Sequence, residues 1–436
     1  MKMLRMISLL GCLMLTISLG VPSALANKVL SLDGGGHVEV PHIDFTNVFT
    51  VEARILIGEF LLHGDNGIVR QTSGPRMRNM TLHLVIRYKK PYLGFIENDL
   101  SSQTVLEVNK WYHLAFQYTG SEQRIYINGC LEAVRETTPY ENTEGATKIG
   151  FPLFRGLMDE VRIWNVARTQ EQIQETMNQP LENPELLDNL VGYWNFDGGT
   201  PDDLSQHENH GTLYGDAYIA DVIYVSPDGS PTGDGTKENP YDTIQKGIDE
   251  SRRGDVVQVL PGTYEENIRL YSDLIVLGSG VENTTIMAAS GNIVIANNVH
   301  NVSFLGFTLD GQGSADYGIL CNGTTSEMKI RNNVVTGATT GIGCSDSASV
   351  TIKNNTVTQN SGTGIDCGDS TDVTIDGNNI EGNEWNGVSF HGNSVIDLVN
   401  NYIRRNQMHG INCWVEADVT IQSNVIAENI NIGIVW

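Results

Sequence analysis

The C-terminal half of the chain repeats with a period of 23 residues, and this period constrains its fold more than any other feature. Each repeat has a glycine, and three residues later a cysteine or an aromatic residue. These positions are Cys321, Cys344, Cys367, Phe390, Cys413 and Trp436. A fixed period of this length is typical of a solenoid, in which each repeat buries its apolar side chains only by stacking on its neighbours.

Asparagine recurs at two further positions of the repeat. The first column is Asn333, Asn355, Asn378, Asn401 and Asn424, and the second is Asn360, Asn383, Asn406 and Asn429. Asparagine tolerates the left-handed backbone of a tight corner, and its amide can hydrogen-bond to an asparagine stacked above it. An apolar period of 3.6 residues, which would indicate helices, does not occur in these repeats. The pattern predicts a parallel β-helix with three short strands per rung.

The cysteine column has two interpretations. The thiols can be buried, small apolar fillers of the core. Alternatively, cysteines on neighbouring rungs can form a disulfide, because the strand spacing of ~4.8 Å lies within the Cα separations that disulfides allow. A tetrahedral metal site is not expected, because a single-file column does not offer four converging ligands.

The N-terminus predicts export. Residues 1–5 are short and basic, residues 6–21 are apolar, and residues 24–26 form a small-residue cleavage site. This order is typical of a secretory signal peptide spanning residues 1–26. Cys12 gives a second possibility, since the stretch that ends there resembles a bacterial lipoprotein box. No other stretch approaches the ~20 apolar residues of a membrane span, so we expect an extracellular or periplasmic bacterial protein that does not span the membrane.

The charge of the chain excludes some partners. With 27 Lys and Arg against 52 Asp and Glu, the formal net charge is −25. Nucleic acids and anionic membranes are therefore not expected as partners. A polyanionic polysaccharide would bind weakly unless calcium bridged it to the protein.

Residues 27–220 predict a β-sandwich, since short alternating runs are separated by turn signals such as Asn128-Gly129. Five motifs follow one another along this segment: Leu32-Asp33-Gly34, Phe49-Thr50-Val51-Glu52-Ala53, Trp111-Tyr112-His113-Leu114-Ala115, Gly156-Leu157-Met158-Asp159-Glu160-Val161-Arg162-Ile163-Trp164 and Gly192-Tyr193-Trp194. In this order they resemble the laminin-G-like branch of the concanavalin A-like lectin/glucanase superfamily.

This resemblance implies a binding module rather than a catalyst. It also implies a structural calcium ion, for which Asp33 and Asp159 are the expected oxygen ligands. Equally, either carboxylate could cap a turn, or Asp159 could pair with Arg162. Exposed ligand contacts are expected around Arg87 and Tyr88.

Residues 221–436 begin with an acidic turn segment at 226–240 and an amphipathic helix at 241–249, followed by strands. This order resembles the entrance of the pectin-lyase-like right-handed β-helix proteins. The helix is expected to cap the open end of the solenoid. The lyase and hydrolase phrases of that family are absent from the repeats, and the chain is expected to continue beyond Trp436.

One constellation in the repeats carries candidate chemistry. Asp346 and Asp369 are 23 residues apart and should stack, while Asp366 and His391 point outward nearby. Stacked carboxylates raise each other's pKa or hold a cation. We therefore predict a catalytic group of Asp366, Asp369 and His391, with ligand contacts from Asp346, Glu384, His409 and Trp414. The alternative is a solvated acidic edge.

The sequence thus predicts an all-β protein, with a concanavalin A-like sandwich followed by a right-handed parallel β-helix of about 23 residues per rung. The expected function is recognition of an extracellular polysaccharide or other glycan. Two alternatives remain open: a polysaccharide lyase or glycoside hydrolase, and a structural or adhesive surface protein. Calcium is the expected cofactor, without an organic one.

Overall fold

The structure is a computed structural model that describes residues 28–45, 48–60, 64–71, 80–140, 145–368, 370–414 and 418–436. It divides into two compact units, of which the first ends at Ala220 and the second begins at Asp221. Helix accounts for 4% of the structure, so the all-β prediction is confirmed. The signal peptide predicted at residues 1–26, with Cys12, lies outside the described residues and stays a prediction.

The first unit is a jelly-roll-like sandwich of two antiparallel sheets. Its strands are β1 (Lys28–Asp33), β2 (His37–Val40), β3 (Phe49–Ile57), β4 (Asn66–Gln71), β5 (Leu82–Arg87), β6 (Lys90–Phe95), β7 (Asn98–Ser101), β8 (Trp111–Tyr118), β9 (Glu122–Ile127), β10 (Cys130–Glu136), β11 (Thr147–Ile149), β12 (Arg155–Trp164), β13 (Leu190–Trp194) and β14 (Thr212–Tyr214). A short helix, α1 (Gln170–Thr176), and a 3₁₀ helix (Pro184–Leu186) follow β12.

One sheet has the order β10-β9-β8-β3-β12-β1, with β13 also paired to β12, and the other has the order β14-β2-β11-β4-β5-β6-β7. The side chains at every second position of a strand pack between the two sheets, because successive side chains of a strand point to opposite faces. In β5, Leu82, Leu84 and Ile86 belong to this core. His83 and Arg87 occupy the other set of alternate positions and therefore lie on the outer face of the second sheet.

Part of the outer face of the first sheet is covered by other segments of the chain. Glu52 of β3 is fully buried there, where it accepts hydrogen bonds from His113 at 3.1 Å and Arg168 at 2.5 Å. Burial would raise the pKa of Glu52, but these partners lower it to about 2. Helix α1 covers the same side, because its Ile173 packs on Ala115 and Tyr126. A buried carboxylate needs such partners to remain charged.

The second unit is a right-handed β-solenoid. Helix α2 (Ile244–Glu250) lies near its start, and its strands are β15 (Tyr218–Val225), β16 (Val256–Val259), β17 (Gly262–Glu265), β18 (Ile268–Arg269), β19 (Leu274–Gly278), β20 (Thr284–Met287), β21 (Asn292–Asn297), β22 (His300–Leu305), β23 (Thr308–Asn322), β24 (Ser326–Arg331), β25 (Val334–Cys344), β26 (Ser349–Lys353), β27 (Thr356–Thr358), β28 (Ile365–Cys367), β29 (Asp372–Asp376), β30 (Asn379–Glu381), β31 (Val388–Phe390), β32 (Val395–Val399), β33 (Tyr402–Arg404), β34 (Ile411–Cys413), β35 (Asp418–Gln422), β36 (Val425–Ala427) and β37 (Ile434–Val435).

These strands form three parallel faces. The first face runs from β15 through β16, β19, β22, β24, β26, β29 and β32 to β35. The second face includes β27, β30, β33 and β36, and the third includes β28, β31, β34 and β37. The long strands β23 and β25 bend and contribute to both of these faces. In the C-terminal rungs the paired residues are 23 apart, as Cys367 and Phe390 show, so the predicted period and the parallel β-helix are confirmed.

The two asparagine columns form continuous hydrogen-bonded ladders inside the solenoid. The side-chain amide of Asn378 donates to Ile352 O at 2.9 Å and to Asn401 Oδ1 at 3.0 Å. Its own Oδ1 accepts from the backbone of Asn355 at 2.8 Å. The second column repeats this arrangement through Asn360, Asn383, Asn406 and Asn429. Each corner is thus fixed by a buried polar group whose hydrogen bonds are satisfied.

The cysteine column lies in the core of the solenoid. Cys321, Cys344, Cys367 and Cys413 are buried free thiols, which agrees with the first of the two interpretations. At the start of the same core, α2 contributes Ile244 and Ile248, so the predicted helix does cover apolar side chains there.

Candidate functional site

The third face of the solenoid carries the candidate residues on outward positions. The central outward residues of its strands are Leu320, Gly343, Asp366, Ser389 and Asn412, which pair in register from rung to rung. The position just after each strand holds Ser345, Gly368, His391 and Trp414. The backbone N–H of each of these four residues donates to a carbonyl of the preceding rung at 2.9 Å. Regular strand pairing thus sets the spacing of the candidate side chains.

Asp366 and His391 are in contact. His391 Nε2 lies 3.4 Å from Asp366 Oδ1, and both side chains are partly exposed. The imidazole lies over Gly368, where an added Cβ would come within 2.6 Å of His391 Cδ2. Burial raises the pKa of Asp366, while the neighbouring His391 opposes the rise. A half-buried carboxyl group beside an imidazole can exchange a proton with a bound ligand.

Tyr317 approaches Asp366 from the other side. Its ring lies over Gly343, where an added Cβ would be 2.5 Å from Tyr317 Cε1. Burial raises the pKa of Tyr317, and the negative charges of Asp366 and Asp316 raise it further. Two glycines therefore leave room for Tyr317 and His391 to lie flat around the same carboxyl group.

Two tryptophans stand at opposite ends of the short strands of this face. Trp385 precedes β31 and is 58% exposed, and Trp414 follows β34 and is 62% exposed. The backbone of Trp385 is fixed between rungs, since its N–H donates to Gly362 O at 3.1 Å and its carbonyl accepts from Met408 N at 3.0 Å. Each exposed indole offers a flat apolar face together with an N–H donor.

The polar residues between the tryptophans are ordered by their own hydrogen bonds. Asn386 accepts from the backbone of His409 at 3.1 Å and donates to Ser389 Oγ at 3.1 Å. His409 Nδ1 accepts from the backbone N–H of Ile432 at 3.3 Å.

The remaining predicted residues of this group lie at the margin. Asp346 is exposed on a left-handed corner, where Ser345 donates to its carboxylate at 3.4 Å. Glu384 is exposed and precedes Trp385. Asp369 lies outside the described residues, so neither its catalytic role nor its predicted stacking on Asp346 is tested. On this face, Asp366 therefore contacts His391. Trp414 and His409 belong to the next repeat of the same face.

Sequence reasoning missed Trp385, Asn386 and Tyr317. The repeat period could have located Trp385, because this residue occupies the position that Gly362 and Met408 hold in the neighbouring repeats. Tyr317 occupies the same repeat position as Thr340 and Asn386. Its orientation toward Asp366 depends on the missing side chain of Gly343, which is a three-dimensional relation.

In the sandwich, Arg87 is already engaged by acidic neighbours. Its guanidinium donates to both oxygens of Asp65, at 2.7 and 3.1 Å, and to Asp99 at 3.1 Å. The hydrogen bonds to Asp65 raise the pKa of Arg87 above its ordinary value. Tyr88 is next to it on the turn between β5 and β6 and is 71% exposed. The exposed Tyr88 is thus available for ligand contact, and Arg87 serves first to hold Asp65 and Asp99.

Asp33 and Asp159 are not brought together. The register places Asp33 opposite Arg155 and Leu30 opposite Met158, so Asp159 lies four residues further along the strand, a distance of ~13 Å. Asp159 is buried, and burial together with the charge of Glu160 raises its pKa. Its Oδ1 accepts from the backbone of Glu160 at 2.8 Å. One calcium ion held by both carboxylates does not fit this register, and calcium binding at either residue stays a prediction.

Within the described residues, neither a metal-binding cluster nor a membrane-spanning helix is found. No group of three or more His, Cys, Asp or Glu side chains converges there as a metal site. Within the same ranges, the helices are too short or too polar to cross a bilayer.

Comparison with known proteins identifies both units. Residues 32–174 match the family model described as the concanavalin A-like lectin/glucanases superfamily. Residues 278–367 and 317–436 match the model described as a right-handed β-helix region. The chain is a laminin-G-like domain followed by a right-handed β-helix. Both resemblances expected from the sequence are thereby confirmed.

Individual relatives are distant. The chain is 25% identical over 141 residues to uncharacterized protein YwoF of Bacillus subtilis (strain 168), which covers 28% of this chain. The chain spans 30% of the length of that curated relative.

Among solved structures, a putative carbohydrate binding protein from Bacteroides ovatus ATCC 8483 is 24% identical, with a TM-score of 0.37, over 45% of this chain and 60% of that one. The catalytic domain of a GH87 α-1,3-glucanase is 13% identical, with a TM-score of 0.38, over 92% and 61%. The A-module of a mannuronan C-5 epimerase from Azotobacter vinelandii is 18% identical, with a TM-score of 0.30, over 43% and 72%. Similarity at this level carries no conclusion about what the laminin-G-like β-helix protein binds.

Proposed function

We propose that this protein binds extracellular carbohydrate, and that the third face of its solenoid is a docking surface for a polysaccharide chain. The observation that carries the proposal is the pair of exposed indoles, Trp385 and Trp414, on the same face as the half-buried Asp366 and its neighbour His391. An aromatic face suits the apolar side of a sugar ring, and neighbouring polar groups suit its hydroxyls. The proposal includes export by the signal peptide expected at residues 1–26.

The regular sheet supports an extended ligand. Successive rungs are ~4.8 Å apart, which is comparable to the length of one sugar unit in an extended polysaccharide. The glycines Gly343, Gly362 and Gly368 keep the surface low between the aromatic side chains. A chain lying along the solenoid axis would therefore meet one rung per sugar.

The sandwich is the second binding module of this proposal. Its superfamily includes lectins, and Tyr88 presents an exposed ring on the turn between β5 and β6. Binding by both units would increase the avidity for a polymer that can reach both.

The experiment is isothermal titration of the purified protein with a panel of neutral polysaccharides. Replacing one stacking indole removes roughly 1 kcal/mol, so Trp385→Ala and Trp414→Ala should each weaken binding about 5- to 10-fold. Tyr402→Ala is the matched control, because Tyr402 is 54% exposed but lies on the second face. Absence of binding to every polymer, or equal weakening by Tyr402→Ala, would contradict the proposal.

Cleavage of the bound glycan is a second candidate function. It is favoured by the raised pKa of Asp366 and by the 3.4 Å contact with His391, since glycoside hydrolysis uses a carboxylic acid that stays protonated. Hydrolysis should release one new reducing end per bond cleaved from the polysaccharide that binds, measured with calcium and then with a chelator. Asp366→Asn should abolish product formation and leave binding nearly intact. An intact polymer after incubation with the unmodified protein would rule this function out.

A further inference from the structure

Three cysteines stand in register on consecutive rungs inside the solenoid. Cys321 pairs with Cys344, and Cys344 pairs with Cys367. Their exposures are 0%, 3% and 0%, and all three are free thiols. Phe390 occupies the next position and separates them from Cys413. The chain thus contains a column of three adjacent sulfurs, together with a fourth, isolated cysteine in the same type of environment.

The central thiol differs from its neighbours in position. Cys344 is the one member of the three that has a cysteine in register on both sides, since it pairs with Cys321 and with Cys367. Sulfur is the ligand that soft metal ions prefer, and the thiolate form binds them most strongly.

The spacing of the column suits a two-coordinate metal ion. Two metal–sulfur bonds of ~2.3 Å placed in line span ~4.6 Å, and consecutive rungs are ~4.8 Å apart. A disulfide is a poorer fit, because it requires Cβ atoms roughly 3.5–4.5 Å apart, whereas side chains in register on parallel strands stay near the rung spacing. A tetrahedral zinc site would need converging ligands, which a straight column does not provide.

We infer that the column of Cys321, Cys344 and Cys367 binds one soft monovalent cation of the copper group, Cu(I) or Ag(I), between the sulfur of Cys344 and the sulfur of one neighbour. The cation replaces one proton, so that one thiolate and one thiol hold it and one proton is released to solvent. The resulting complex carries no net charge, which an apolar core tolerates. Oxidation is not involved, and the inference does not depend on the glycan-binding function.

The test uses Ag(I) as a redox-inert probe on the reduced, folded protein, with excess glutathione to remove weakly bound metal. Bound silver per chain is measured after dialysis. We expect one silver per chain in the unmodified protein. Since Cys344 is shared by both possible pairs, Cys321→Ala and Cys367→Ala should each retain one silver, whereas Cys344→Ala and the double variant Cys321→Ala/Cys367→Ala should retain none.

Cys413→Ala is the matched control and should retain one silver, because Phe390 separates it from the column. Retention by Cys344→Ala, loss in Cys413→Ala, or no silver in the unmodified protein would overturn the inference. Circular dichroism of each variant shows whether it is folded. If Cys344→Ala fails to fold, the remaining variants still test the inference. Cys321→Ala and Cys367→Ala each leave one cysteine pair and should retain silver, whereas the double variant removes both pairs and should not.

Discussion

Gly343 and Gly368 determine which groups surround Asp366. A side chain at either position would displace the ring of Tyr317 or of His391, as the 2.5 and 2.6 Å approaches of an added Cβ show. With both rings in place, Asp366 is half-buried and beside an imidazole. Its protonation therefore responds to two opposing effects, burial and the neighbouring histidine.

Replacing the histidine should separate these effects. In His391→Ala the pKa of Asp366 should rise further, because burial raises it and His391 is the group that opposes burial. Carboxyl-detected NMR titration measures the change. His300→Ala is the control, since His300 lies 3.3 Å from Asp273 instead, and it should leave the Asp366 titration unchanged. A fall in the Asp366 pKa in His391→Ala would contradict the described contact.

At the scale of elements, the asparagine ladders hold the corners between the short strands. Asn378 lies in the middle of its ladder and is fully buried, whereas Asn424 is partly exposed at the end. Both amides donate to a backbone carbonyl of an earlier rung, Ile352 for Asn378 and Leu398 for Asn424. They differ in burial and in bonding, since the Asn378 amide also donates to Asp376 O and to Asn401 Oδ1, and water has less access to the groups that its loss would leave unpaired.

Asn378→Ala should lower the free energy of unfolding by about 2–4 kcal/mol, because it leaves the buried backbone N–H of Asn355 and other groups of the ladder without partners. Asn424→Ala should cost less than ~1 kcal/mol, since water can replace its bonds. Denaturant unfolding, followed by far-ultraviolet circular dichroism, measures both. Equal losses in the two variants would show that burial of the ladder does not determine its contribution.

The solenoid could be predicted from the sequence because its contacts repeat at one interval. The period alone put Asp366, His391 and Trp414 on outward positions of neighbouring rungs. By contrast, the hydrogen bond between Arg87 and Asp65 joins the end of β5 to the residue just before β4, and no repeat relates these two positions. The separation of Asp33 from Asp159 likewise depends on strand register, which the motif does not specify, and calcium binding at either residue stays a prediction.

At the scale of the whole molecule, the third face shares the acidity of the chain. The described residues 337–347, 360–368, 383–393 and 406–414 contain no Lys or Arg, but include Asp346, Asp366 and Glu384. A net charge of −25 adds long-range repulsion of anions. A neutral chain therefore suits this face better than a polymer of uronic acids.

Methyl-esterified polygalacturonate should accordingly bind more tightly than the free acid, by about tenfold in low-salt buffer with a chelator. The difference should shrink near 1 M salt, where the Debye length is ~3 Å. The double variant Asp366→Asn/Glu384→Gln should reduce this difference in affinity. The double variant Asp372→Asn/Asp397→Asn, which has the same net charge but is altered on the first face, should leave the difference unchanged. Tighter binding of the free acid would contradict the electrostatic argument.

The most direct test of glycan docking on the third face is NMR of the six tryptophan indoles. The protein is labelled with ¹⁵N, and an oligosaccharide of the polysaccharide that binds is added to saturation. The account predicts that the indole N–H signals of Trp385 and Trp414 shift, while those of the buried Trp164 and Trp194 stay in place. Saturable binding that leaves Trp385 and Trp414 unshifted would place the glycan elsewhere and contradict the account.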